Sequence, residues 1–132
     1  MNKMAPKSTR ATVASKGQLL YCENDEAVLK TQSKVFEAAG YAVTRVVGRA
    51  AAQETIRTGQ FDVVVLGHTL SKDDRHHLPY MAKKATDTPV LVLHASGKHP
   101  AVDYAMDSRQ GDEAVLKAIR SLVNAKSLAV AV

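Results

Sequence analysis

Phe61-Asp-Val-Val-Val-Leu-Gly67 is the stretch on which the fold turns. It is a continuous apolar run rather than an alternating one, as expected of a strand buried on both faces of a parallel sheet. Two further segments read the same way, Gln18-Leu-Leu-Tyr-Cys22 before it and Pro89-Val-Leu-Val-Leu-His94 after it. In open α/β sheets the carboxyl ends of such strands form the edge where ligands and chemistry gather. The residue at the tip of the central run is Gly67, which brings no functional group to that edge.

Outward from this run, strands alternate with helical patterns, the signature of a parallel sheet covered on both faces. Asp25 stands where a helix N-cap belongs, and Ala27, Val28, Thr31, Val35, Phe36 and Ala39 follow at helical spacing. Gly40 is placed as a left-handed terminator. A shorter strand is predicted over Tyr41–Val47 and an Ala-rich helix over Arg49–Thr58, ended by Gly59. Ser71-Lys-Asp-Asp74 predicts the cap and acidic first turn of a third helix to about Lys84, with Pro79 expected to kink or divide it. A marginal fifth strand is predicted at Asp103–Met106 and a last helix at Asp112–Asn124. Gly97 and Pro100 lie between His94 and Asp103, which leaves no room there for a helix of about 11 residues.

The 132 residues suit one domain, with 45% apolar and 23% charged residues. Lys3, Lys7, Arg10 and Lys16 lie in residues 1–17 without an acid; removing these four from 18 basic residues leaves 14 against 13 acids. The excess charge therefore belongs to a basic tail, expected to be disordered and solubilising, and not to a folded nucleic-acid-binding face. The expected organisation is a tail over 1–17, a domain over 18–124 and a short extension over 125–132. No secretory signal is expected, and no apolar run reaches the roughly 18 residues of a membrane span. A lone cysteine, Cys22, fits a buried structural thiol in a reducing cytoplasm.

The acidic cluster after Cys22, together with Phe61-Asp-Val-Val-Val-Leu66 and Thr88-Pro-Val-Leu-Val-Leu93, resembles the receiver (CheY-like) domains of bacterial two-component response regulators over residues 18–124. The resemblance implies a flavodoxin-like three-layer α/β/α sandwich with strand order 2-1-3-4-5. Its fourth helix would be shortened or absent. It also implies a phosphorylation pocket made of an acidic Mg²⁺-binding pair, an acceptor Asp, a Thr or Ser and a Lys. Matched to that pattern, the pair becomes Glu23-Asn24, the acceptor Gly67, the Thr or Ser position His94, and the Lys position Asp107. Glycine has no oxygen nucleophile, an amide is a poor Mg²⁺ ligand, and Asp107 would repel a phosphoryl group. The implied function is a pseudo-receiver: a phosphorylation-independent protein-interaction module with a signalling protein or a second copy as partner. No catalysis, cofactor or resident metal is expected of it. The alternative is a small-ligand or metal-ion sensor using the pocket that Gly67 empties.

Other groupings carry less. His68 and His94 with Glu23 and Asp107 form a metal-like ligand set, but no spacing brings them together in three dimensions. Of His76-His77, one is expected toward solvent and the other toward a groove. Neither a phosphate-binding glycine motif nor a nucleophile elbow occurs.

Overall fold

The predicted alternation is realised in a computed structural model, whose described residues are 15–131, with side chains described through residue 125. The disorder expected of the tail concerns residues 1–14, which lie outside the described residues. Ser15–Gly17 join the domain, Lys16 donating its N–H to Gly40 O at 2.7 Å.

Five strands run β1 Gln18–Glu23, β2 Ala42–Val47, β3 Val63–Leu66, β4 Val90–Val92 and β5 Tyr104–Ala105. All pairings are parallel and the order is β2-β1-β3-β4-β5. The helices are α1 Glu26–Ala38, α2 Gly48–Thr58, α3 Lys72–Thr86 and α4 Asp112–Ala131, with a 3-10 turn at Ser108–Gln110. This is the flavodoxin-like sandwich, without a helix between β4 and β5.

Side chains alternate between two cores, as strand geometry requires. Leu19, Tyr21, Val63, Val65 and Leu91 face Leu29 and Phe36 of α1 and Val115 and Ile119 of α4. Leu20, Cys22, Val64, Leu66, Val90 and Val92 face Ala52 and Ile56 of α2 and Leu78 and Ala82 of α3. With both faces covered, the central strands have no polar side to show, and their sequence is apolar throughout.

The helix ends follow the local chemistry. Asp25 caps α1 by accepting from the N–H groups of Ala27 and Val28, and Ser71 caps α3 by accepting from Asp74. Gly40, at φ 107°, closes the first helix in a conformation that costs other residues strain. Three expectations are corrected. Pro79 does not divide α3, because Leu78, Pro79 and Ala82 are buried together and packing holds both halves in one helix. The last helix continues past Asn124 to Ala131. His76 and His77 are both exposed and both line one shallow groove with Arg49, Asp73, Tyr80 and His99.

The connection from β4 to β5 does with loop residues what a helix does elsewhere. Val102 enters the second core, and Gly97 is pressed onto β4 so closely that an added Cβ would meet Val92 Cγ1 at 2.5 Å. Asp103 anchors the far end: its Oδ2 accepts from Val90 N–H and pairs with Lys83 Nζ, both at 2.7 Å. Gly97→Ala should therefore lower stability by about 1–3 kcal/mol, the usual cost of overpacking. Urea unfolding measures it, and a loss below about 0.5 kcal/mol would mean that the loop does not rest on the sheet in this way.

Candidate functional site at the carboxyl edge of the sheet

The carboxyl ends of β1, β3 and β4 and the turn after β5 bring Glu23, Gly67, His94 and Asp107 to one edge. Glu23 is the last residue of β1 and has no exposed surface. Its carboxylate folds over the tip of β3. A Cβ built on Gly67 would lie 1.8 Å from Glu23 Cδ and about as close to both carboxylate oxygens, at 1.9 and 2.1 Å. The space expected to be empty above Gly67 is thus filled by Glu23. A side chain at residue 67 could be placed there only if the Glu23 carboxylate left this position and the donors that hold it.

Burying a carboxylate is costly unless its oxygens find donors. Tyr21 donates its hydroxyl to Oε2. Thr69 donates its N–H to Oε1 at 3.0 Å and its hydroxyl at 2.5 Å. The same hydroxyl accepts from the N–H groups of Asn24 and Asp25, at 2.8 and 3.1 Å. One threonine therefore ties the loop after β3 to the loop after β1 and satisfies the buried acid. No Lys or Arg pairs with Glu23 among the described residues. Burial, and then the negative charge of Glu23, push the Tyr21 phenol well above its ordinary range. Burial likewise pushes the Cys22 thiol up, which makes it an inert core residue.

The other predicted residues sit apart from this carboxylate. Asn24 is exposed, and what it contributes to the network is its backbone N–H. His94 and Asp107 share an open cleft of about 330 Å³ with His68, Ser108 and Arg109. His94 accepts at Nδ1 from Ser96 N–H at 3.1 Å, and Ser108 Oγ lies 3.4 Å from His68 Nδ1. Asp107 is held by Arg109, whose Nη2 lies 2.5 Å from Oδ2. The Arg109 side chain and its backbone N–H hold the Asp107 carboxyl down at about 2. Beside this cleft, a smaller void of about 110 Å³ between Glu23, Tyr21, Gln32 and His68 reaches toward the first core.

Among the described residues no three His, Cys, Asp or Glu side chains gather in an arrangement that could hold a metal ion. The Glu23-Asn24 pair does not fit Mg²⁺ either, because the Glu23 oxygens face inward to Tyr21 and Thr69 and the neighbouring group is an amide. Thr69 and Arg109 escaped sequence reasoning. Thr69 sits in a polar loop with no motif around it, and the Asp107-x-Arg109 spacing was the available signal for the ion pair. Asp74, expected only as a first-turn charge, is 8% exposed and also binds Arg49 of α2 at 2.5 Å.

Solved structures that share this fold include receiver domains. A CheY-like response regulator receiver domain from Methanospirillum hungatei matches with a TM-score of 0.69 and 13% identity, over 83% of this chain and 95% of that one. A response regulator receiver protein from Sinorhizobium medicae matches with a TM-score of 0.70 and 20% identity, over 82% and 94%. The receiver domain of a sensor histidine kinase from Pseudomonas aeruginosa, solved with magnesium coordinated in its active-site cleft, matches with a TM-score of 0.67 and 11% identity, over 82% and 98%. At these identities the likeness is one of fold. No family model and no curated protein matches the chain. No helix among the described residues is long and apolar enough to cross a membrane.

Two predictions follow from the edge. Gly67→Ala should cost about 1–3 kcal/mol or more, and Glu23→Ala about 1–3 kcal/mol through lost hydrogen bonds, but the double variant should recover at least about 1 kcal/mol of their sum. A urea-denaturation cycle reads that coupling; strict additivity would mean that the two residues do not compete for one space. The Asp107 carboxyl should titrate near about 2 by carbon NMR, rising toward the ordinary carboxylate value in Arg109→Ala. Because its folded value is depressed, the stability contributed by this pair is present above the unfolded carboxylate range. It is lost as pH falls through about 2.

Proposed function

We propose that this chain is a pseudo-receiver, a phosphorylation-independent protein-interaction module in bacterial signal transduction that acts in the cytoplasm and catalyses nothing itself. The observation that carries this reading is the Glu23 carboxylate lying over Gly67. At the place where the resemblance requires an acceptor aspartate there is a glycine, and a neighbouring acid occupies the space above it, which supports a site without a nucleophile or room for a phosphoryl group. Phosphoryl transfer needs an oxygen held in line and cations to absorb the developing charge. Here glycine follows the last residue of β3, and the position matched to the neutralising lysine is Asp107, already closed on Arg109. Glu23, Asn24, Gly67, His94 and Asp107 are thus read as the remnant of a phosphorylation pocket.

An interaction module needs a surface. Tyr104 is 49% exposed on the edge strand β5, beside a groove of about 440 Å³ between β5 and α4 that includes Met106, Ala114, Ala118 and Leu122. A large aromatic side chain left in solvent next to a groove that combines these apolar residues with Asp103, Gln110, Lys117 and Ser121 supports a protein partner, either a signalling protein or a second copy of this chain. The second reading, a small-ligand sensor, is favoured by the separate cleft around His68, His94, Asp107 and Arg109. It would use that cleft and not the space over Gly67.

The deciding experiment is amide-resolved NMR with Mg²⁺ and beryllofluoride, beside mass spectrometry after incubation with acetyl phosphate. The expected result is no shift at Glu23, Gly67 or His94 and no phosphorylated protein. A saturable shift at Glu23 and Gly67, or a phosphoaspartate, would overturn the proposal. A saturable shift confined to His68, His94 and Arg109 would favour the sensor.

A further inference from the structure

The loop over residues 94–103 contains two histidines used in the same unusual way. His94 Nδ1 accepts from the N–H of Ser96 at 3.1 Å and also lies 2.9 Å from the Ser96 hydroxyl, and His99 Nδ1 accepts from the N–H of Ala101 at 3.2 Å. In each case the ring closes a turn onto the amide two residues ahead, as an Asn or Asp side chain does in an Asx-turn. An imidazole can do this only while Nδ1 is unprotonated, and a ring carrying a second proton has hydrogen on both nitrogens and accepts at neither. The same loop covers the sheet where no helix does, through Gly97 and Val102.

We propose that this loop is a pH-responsive element. At neutral pH the two Nδ1 acceptors reinforce turns that main-chain bonds also close, His94 O accepting from Gly97 N–H at 3.0 Å and His99 O from Val102 N–H at 2.9 Å. On acidification both turns lose the side-chain bond and loosen, so that the surface beside β4 and α3 changes while the rest of the domain stays folded. The proposal rests on the loop's own hydrogen bonds and stands whether or not the chain is a pseudo-receiver.

The surroundings of each ring decide how protonation acts. His99 packs on His76 of α3 with ring centroids 5.1 Å apart. His77, Tyr80 and Asp73 of α3 and Arg49 of α2 face the same groove, and Lys98 precedes His99 in the chain. A second proton on His99 thus places a cation against another imidazole, with Arg49 nearby and Asp73 as the opposing acid. His94 faces Asp107, Arg109 and His68 across the edge cleft. Asp107 favours a cation there, but its charge is already engaged by Arg109. At the loop's far end the Lys83–Asp103 pair and the Asp103 bond to Val90 N–H involve no imidazole. The loosening is therefore confined to the segment from His94 to Ala101.

The test uses the full chain, followed by ¹⁵N NMR from about pH 7.5 to about pH 5, the range in which imidazoles change charge. At the upper end both rings should be the Nε2–H tautomer. On acidification, hydrogen exchange at the Ser96 and Ala101 amides should accelerate roughly three- to tenfold beyond the intrinsic pH dependence, the equivalent of losing one hydrogen bond. Amides in β1 and β3 should not follow. In a His94→Asn/His99→Asn variant the side-chain oxygen accepts the same N–H without titrating, so the acceleration should vanish. An Nδ1–H tautomer at either ring overturns the proposal in the unsubstituted protein, without recourse to a variant. Unchanged exchange at Ser96 and Ala101 across the range does so too, as does an Asn variant that keeps the full pH response.

Discussion

A carboxylate without exposed surface, Glu23, has to be accommodated before anything else at this sheet edge can be arranged. Its desolvation is offset by three donors, the Tyr21 phenol and the amide and hydroxyl of Thr69. Meeting that need draws the loop after β3 onto the loop after β1, and the Thr69 hydroxyl then also caps the exposed N–H groups of Asn24 and Asp25. Half-satisfied buried polar networks are costly, whereas satisfied ones specify a single arrangement. Gly67 is part of the same bargain: the acid can lie over the tip of β3 only because no Cβ is there.

The second departure from a regular doubly wound sheet obeys similar logic. Without a helix between β4 and β5, the outer sheet face needs another cover, and a loop can provide it only if its backbone polar groups are satisfied locally. His94, His99 and Asp103 do this by accepting from Ser96, Ala101 and Val90, while Gly97 and Val102 supply the apolar contact. The cover is held by these side-chain acceptors together with a few main-chain bonds, Gly97 N–H to His94 O and Val102 N–H to His99 O, and not by a helix's continuous ladder.

These two substitutions, an acid for an empty pocket and a loop for a helix, lie at the ends of neighbouring strands. Between them is the open cleft where His68, His94, Asp107 and Arg109 meet. The edge thus combines a sealed, fully satisfied half around Glu23 with an accessible, charged half around Arg109.

Much of this was legible from residue order. Uninterrupted apolar runs such as Val63–Leu66, Asp25 and Ser71 as caps, and the Gly97 and Pro100 pair that excludes a helix all act through local chemistry, so the sequence by itself determined the strand-helix alternation and the lack of a nucleophile at the tip of β3. It also held the residues of the edge, but not their relations. Glu23 meets Thr69 across 46 residues, and Asp74 finds Arg49 across 25. Whether Gly67 leaves a cavity or receives a carboxylate depends on which way one side chain turns once β1 and β3 are paired. Only the tertiary structure decided that, because the turn is set by donors that strand pairing alone brings within reach.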